Sequence, residues 1–180
     1  CPNIHPELSE LVPLYQRRLV DIQDHPEWKI LKKDDSHAKY NGGLKKGAQT
    51  WSSDGSSQGH TIEEVQLELE SRGQVYISTW PTMFLGIYGD HIRIVRLIPV
   101  NPEEVELTAE WLFPKSTLAD PDYKVNNVVD FGILVMKQDA SISEVNQRGV
   151  YNLGKSSGVL MPEEYIIKNF HQYIRNKINK

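Results

Sequence analysis

Asp139 is the residue whose type and place most clearly require a chemical partner. Between Val125 and Gln147 the apolar spacing predicts an amphipathic helix. Val125, Val128, Val129, Gly132, Val135, Met136, Asp139, Ile142 and Asn146 fall on one stripe, spaced by three, four and seven. Asp139 lies inside that stripe, on the side expected to be dry. An ionised carboxylate facing a core is costly unless a cation, a metal or convergent donors meet it. The stripe alone leaves two readings open: a buried Asp paired with an Arg or with backbone N–H groups, and a carboxylate that holds a metal. The histidines narrow the choice little. His5 stands just ahead of Pro6-Glu7-Leu8-Ser9-Glu10-Leu11-Val12, a helical turn with Pro at its start and Glu in its first turn. By itself that is a place for a surface or capping histidine as well as for a ligand. His25, His37 and His60 have no partner at ligand spacing and are read as solvated loop histidines.

The order of several segments adds what spacing lacks. The chain opens Cys1-Pro2-Asn3-Ile4-His5-Pro6-Glu7-Leu8, and later carries Gln138-Asp139, then Asn146-Gln147-Arg148-Gly149-Val150. Gly158-Val159-Leu160-Met161-Pro162-Glu163-Glu164 and Phe170-His171 follow. Together these resemble the catalytic domain of the Rieske-type non-haem iron oxygenases, the alpha subunits of ring-hydroxylating oxygenases. That family has a His-Cys-Pro-x-x-His-Pro-Glu-Leu type segment whose two histidines bind iron, and an Asp on a long helix a few residues ahead of Gln-x-Gly. Matched residue by residue, the resemblance implies that His5 is the second histidine and Asp139 the carboxylate. The first histidine would stand immediately before Cys1 and is not in this chain. The implied organisation is a single, truncated catalytic iron-binding domain over residues 1–180, with the Rieske domain upstream and absent from this chain.

Composition is compatible with this. The chain has 180 residues, 39% of them hydrophobic, enough for one domain with a core. No window approaches the apolar run of about 18 residues or more that reads as a membrane span. A formal charge of −4, with Lys and Arg scattered, leaves no electrostatic footprint for nucleic acid. The single Cys1 excludes an internal disulfide and a Cys-rich metal site within the chain. Neither membrane nor nucleic acid is an expected partner, no targeting leader is readable, and a cytoplasmic setting is expected.

The elements that must position Asp139 and His5 come next. Arg17 to Gly59 is polar and turn-rich, and is read as excursions with a short strand near Ala48 to Trp51, covering the mouth of the site. Asn41-Gly42-Gly43 lacks the Gly-Lys-Ser/Thr pattern of a phosphate loop. From Gln74 the pattern is sheet-like, with four β-rich runs: Val75 to Trp80, Thr82 to Tyr88, His91 to Pro99 and Val105 to Phe113. Pro81, Gly89-Asp90 and Asn101-Pro102-Glu103-Glu104 bound them, and Gly89-Asp90 is a tight hairpin signal. In the last run Leu107, Ala109, Trp111 and Phe113 share an apolar face, which the helix from Val125 is expected to cover. Met161 to Lys180 predicts a terminal helix with Ile166, Ile167, Phe170, Ile174 and Ile178 in period, and a structural His171. The fold class expected is α+β, an antiparallel sheet packed against a long helix plus a C-terminal helix. The resemblance implies its helix-grip (START/Bet v 1-like) form.

The function implied is iron-dependent mono- or dioxygenation of an aromatic or related organic substrate. Its cofactors would be mononuclear Fe(II) and an upstream Rieske [2Fe-2S] cluster, with NAD(P)H supplying electrons through a reductase or ferredoxin. The full-length enzyme would be a homotrimer. Trp80, Met83, Phe84 and Val135 are the expected substrate-binding residues. Trp80 and Phe84 share one face of their strand and Met83 and Leu85 the other. If the first pair lines the cavity, a cationic substrate such as choline or glycine betaine is expected; if the second, a neutral ring. The alternative of another class is a non-catalytic helix-grip module for a hydrophobic ligand, which gains nothing from a carboxylate in its cavity.

Overall fold

The four β-rich runs fold as four consecutive antiparallel strands, and their boundaries show why. In the computed structural model, which describes residues 7, 37–42, 44, 47–57, 59–62, 74–151, 158–161 and 164–179, β1 (His37–Gly42), β2 (Gln74–Thr79), β3 (Met83–Ile87), β4 (Ile92–Asn101) and β5 (Glu104–Leu112) form one sheet in sequence order. Every neighbouring pair is antiparallel. Pro81 cannot donate to a ladder and sits in the β2–β3 turn, where the Thr79 hydroxyl donates to the Met83 carbonyl at 3.1 Å. Gly89-Asp90 makes the β3–β4 turn, closed by Tyr88 N–H to the His91 carbonyl at 3.0 Å. The β4–β5 turn carries the one register irregularity, between Pro99 and Asn101.

Three helices follow: α1 (Lys115–Ala119), α2 (Asn126–Val150) and α3 (Tyr165–Ile178). The fold is therefore α+β, a five-stranded antiparallel sheet with a long helix and a C-terminal helix. Among the described residues no helix is long and apolar enough to cross a membrane.

One face of the sheet is built to receive α2. Register places Tyr76, Gly86, Arg93 and Trp111 side by side across β2 to β5. α2 turns Val128, Phe131, Gly132 and Val135 inward at helical spacing. Gly132 lies directly over Trp111, as expected from the apolar alternation in β5: a Cβ at position 132 would stand 2.6 Å from the indole Cζ2. Trp51, Tyr76, Tyr88, Phe131 and Val135 make one buried cluster. Within it Trp51 meets Phe131 edge-on at 4.6 Å, and Arg93 lies over the Trp51 ring at 4.2 Å. The Tyr76 and Tyr88 hydroxyls are 2.9 Å apart, and Gly86 leaves the room that the Tyr88 hydroxyl needs.

Several expectations change here. No strand forms at 48–51; residues 50–55 are a series of bends, and the strand in this stretch is β1, with His37 in it. Trp51 is 1% exposed, so the described part of the polar segment supplies the centre of the core as well as surface loop. The loop is held by its own polar groups. Asp54 accepts from the Ser56 backbone N–H at 2.9 Å and from the Ser56 hydroxyl at 2.7 Å, which holds its carboxyl well below the usual range. Asp54 also accepts from Asn127 Nδ2 at 3.2 Å, and Ser53 donates to Asn127, so the loop grips the first turn of α2. At its other end α2 reaches the β4–β5 turn, where Tyr151 shares a hydrogen bond with Glu103 that pushes the phenol up.

Candidate metal and substrate site

Asp139 sits on α2 one turn beyond Val135, where burial along the helix has ended. Its side chain is exposed, as are Ile142 and Asn146 farther along the same stripe. The expectation of a dry carboxylate is therefore corrected: the buried face stops at Val135, and Phe131 takes the place in the core that the stripe gave to Val129. An accessible carboxylate remains a suitable hard oxygen donor for a metal arriving from solvent. Arg96 pairs with Glu110 at 3.4 Å, both half-exposed, and Arg93 is buried against Trp51.

His5 lies outside the described residues, so its imidazole has no stated position. Two residues on, Glu7 is described and has helical conformation; the rest of the expected turn, residues 6 and 8–12, lies outside the described residues. Its Oε2 accepts a hydrogen bond from Gln138 Nε2 at 3.2 Å. Gln138 is the immediate neighbour of Asp139, and the contact joins residues 131 apart in sequence. Among the described residues no group of three or more His, Cys, Asp or Glu side chains is placed to hold a metal. An imidazole nitrogen with a carboxylate oxygen is nonetheless a donor set that suits ferrous iron.

The expected substrate residues divide. Trp80, Met83 and Phe84 line an open groove of about 230 Å³, closed on its other side by Ile166, Ile167 and Phe170 of α3. Trp80 is its corner: its ring lies 6.1 Å from Phe170 and 5.6 Å from Tyr173. Leu97 N–H bonds the Thr82 carbonyl at 2.7 Å and fixes the β2–β3 turn that presents Trp80. Val135 does not belong to this groove. It is 6% exposed and packs in the core cluster with Phe131 and Trp51, so its assignment as a substrate contact is corrected. His171 and His60 are exposed, the former in place of the structural role expected of it. Leu85 is not among the lining residues.

A second polar centre was not anticipated. Asp90, read only as a turn residue, is 1% exposed and accepts from Thr50 Oγ1, from Ser57 Oγ at 2.9 Å and from His91 Nδ1 at 2.8 Å. Burial pushes the Asp90 carboxyl up, yet the bond and charge of His91, with the two hydroxyls, bring it below the ordinary value. Burial pushes the His91 imidazole down, against the pull of Asp90, and Arg93 adds to the fall. The ring is stacked on Tyr88 at 4.4 Å, and its Nε2 has no partner among the described residues. The sequence signal was an Asp-His pair at a hairpin flanked by Tyr88 and Phe113. No solvent reaches it, and its visible work is to lock the 47–57 loop to the sheet.

The whole chain, residues 1–180, matches the family described as ring hydroxylating alpha subunit (catalytic domain), and the chain belongs to that family. Over 86 residues it is 26% identical to the glycine betaine monooxygenase oxygenase subunit of Chromohalobacter salexigens, covering 48% of this chain and 19% of that protein. Over 78 residues it is 28% identical to the protein of the same name in Pseudomonas aeruginosa strain UCBPP-PA14, covering 43% of this chain and 18% of the other. The matched stretches thus span less than a fifth of these relatives' length.

Proposed function

We propose that this chain is the iron-binding domain of an oxygenase that inserts oxygen from dioxygen into an organic substrate. The observation that supports this reading is the Gln138–Glu7 hydrogen bond, because it joins the helix position next to Asp139 to a residue two places from His5 in the sequence. His5 and Asp139 would hold Fe(II) together with a histidine preceding Cys1 in the full-length protein. Bound iron would supply the one-electron chemistry that activates dioxygen, with electrons from NAD(P)H through a reductase or ferredoxin and an upstream Rieske [2Fe-2S] cluster. The chain's own contribution is to hold the metal on one side and leave the other open, and to keep water away from the substrate. A helix-grip fold and a homotrimeric full-length enzyme complete the proposal. Exposed apolar residues on the β4–β5 hairpin, Ile98, Val100, Val105 and Leu107, support a packed surface there.

A quaternary-ammonium substrate is favoured over a neutral ring. Trp80 and Phe84 both line the groove, Phe170 adds a third aromatic face, and Leu85 is absent from the lining. A trimethylammonium head is attracted to such faces within about 6 Å without a carboxylate. The relatives named above, glycine betaine monooxygenase oxygenase subunits, point the same way. Met83 also lines the groove, so an apolar portion of the substrate has a place. In the full-length enzyme, Asp139→Ala should abolish iron retention and turnover while the Rieske absorbance survives. Full iron content in that variant would overturn the assignment.

A further inference from the structure

We propose that α3 is a strap over the Trp80 groove, and that its docking on the sheet is coupled to occupancy of the groove by a cationic ligand. The inference rests on the quaternary-ammonium reading above and adds how that site responds to its ligand. α3 has the apolar spacing of an amphipathic helix, yet none of its 14 residues is fully buried, whereas α2 buries four. Ile167 and Ile178 remain 42% and 76% exposed. A helix of this length is marginal in water by itself, so the order of α3 depends on its docking. Little apolar burial drives that docking, which places α3 at the low-stability end of the fold.

The aromatic contacts of α3 with the sheet converge on Trp80. Phe170 and Tyr173, three residues apart on one face of the helix, lie 6.1 and 5.6 Å from the indole. The Tyr173 hydroxyl reaches the Trp80 carbonyl at 3.5 Å, a long hydrogen bond that adds little to the rings. Trp80 and Phe170 also line the groove, while Tyr173 does not, and Lys177 Nζ lies over its ring at 5.4 Å. Tyr173 therefore holds the helix without facing the ligand. Beside these contacts, Ile166, Ile167 and Phe170 face Met83, Phe84 and Leu97 across the groove of about 230 Å³. A ligand there touches both walls and adds contacts between α3 and the sheet that the chain does not make by itself. Release of α3 removes one wall, so the undocked state binds the ligand more weakly. A ligand that prefers the docked state shifts the helix toward docking.

The test is hydrogen exchange of the full-length enzyme, followed by mass spectrometry on peptides from α3. Tetramethylammonium chloride is the probe, its Kd is measured by calorimetry, and sodium chloride at equal ionic strength is the control. At ten times that Kd, exchange in α3 should slow by up to about tenfold, by mass action on the docked state. Peptides of α2 should keep their parental rate. Tyr173→Leu should speed α3 exchange without probe by about 2- to 12-fold, the worth of an aromatic pair, and the probe should still slow it. Tyr173→Phe keeps the ring and should stay near the parental rate. Trp80→Leu should lose both the binding of the probe and its protection of α3. Probe bound with α3 exchange unchanged would overturn the coupling and leave the groove as a fixed site. Protection of α3 that persists in Trp80→Leu would overturn it too, because the probe would then act elsewhere. No binding of the probe to the parent enzyme would overturn the quaternary-ammonium reading itself.

Discussion

Replacing Asp90 by Ala removes the acceptor on which three donors converge, and the cost can be worked from their burial. The Thr50 hydroxyl and the His91 Nδ1–H are both fully buried, at 0% exposure, so neither finds water when the carboxylate is gone. Ser57 is half-buried and can be hydrated. A buried donor left without its partner costs about 1–3 kcal/mol, and two such donors, the Thr50 hydroxyl and the neutral His91 Nδ1–H, lose theirs. Relief from desolvating the carboxylate offsets part of this, so about 3 kcal/mol is expected. For a domain of this size that corresponds to a fall in Tm of roughly 6–12 °C. Asp90→Asn should cost about half as much, because the amide oxygen in the place of Oδ1 still accepts from Thr50 and His91 while the amide N–H faces Ser57, whose hydroxyl can accept. Thermal and urea denaturation give both values. Hydrogen exchange should show the damage spreading to the start of α2, since Ser53 and Asp54 lose the loop that aims them at Asn127. A change below about 2 °C for Asp90→Ala, or equal losses for the two variants, would refute the convergent-acceptor account.

Gly132→Ala tests the seat of α2 on β5. Intrinsic propensity favours Ala over Gly by about 1 kcal/mol inside a helix, yet the new Cβ would stand 2.6 Å from Trp111, and overpacking of this kind costs about 1–3 kcal/mol. A lower urea midpoint is expected, and a higher one would show that α2 does not bear on Trp111. Stability should also depend on pH. The folded pKa of His91 lies below its ordinary 6.5, so the unfolded chain takes up a proton first as pH falls through that value. Asp90, also depressed, begins to act only near its ordinary 3.8. Stability is therefore complete above about pH 7 and should decline below 6.5 with a slope approaching about 1.4 kcal/mol per pH unit. Melts at pH 7.5 and 5.5 check this, and a neutral replacement such as His91→Gln should flatten the slope. For the groove, Trp80→Leu and Phe170→Leu in the full-length enzyme should each raise KM for glycine betaine about 3- to 30-fold, the worth of a cation–π contact of about 0.5–2 kcal/mol. Coupled oxygen uptake with benzoate-like acids, indifferent to both substitutions, would instead favour a ring substrate.

Local periodicity made the sheet legible. β2 to β5 lie within a residue or two of the runs read from sequence, because Pro81, Gly89-Asp90 and the Asn101–Glu104 turn interrupt β-branched and aromatic stretches at points where a ladder cannot continue. α2 and α3 were legible for the same reason, as was the apolar face of β5 that Gly132 covers. β1 was missed because His-Ala-Lys-Tyr-Asn-Gly alternates only briefly, with Ala38 and Tyr40 between polar residues and no β-branched residue; it pairs with β2 along its whole length. Trp51 was missed because it sits among Ser and Gly with no period around it. A lone Trp in a turn-rich stretch is itself the signal, since an indole is seldom spent on open solvent.

The candidate site was less legible, and Asp139 shows why. Helical spacing reports which residues share a stripe but not how far along the stripe the neighbouring layer extends. Burial on α2 ends at Val135, and the carboxylate four residues later stands in the same row and outside the core. The physical reason first given for a partner, an expensive buried charge, thus does not apply. The contact the structure adds is long-range: Gln138 of α2 bonded to Glu7, two residues from His5 in the sequence. No periodic pattern predicts a contact between residues so distant in the chain, because its origin is the packing of two segments and not the local preference of either.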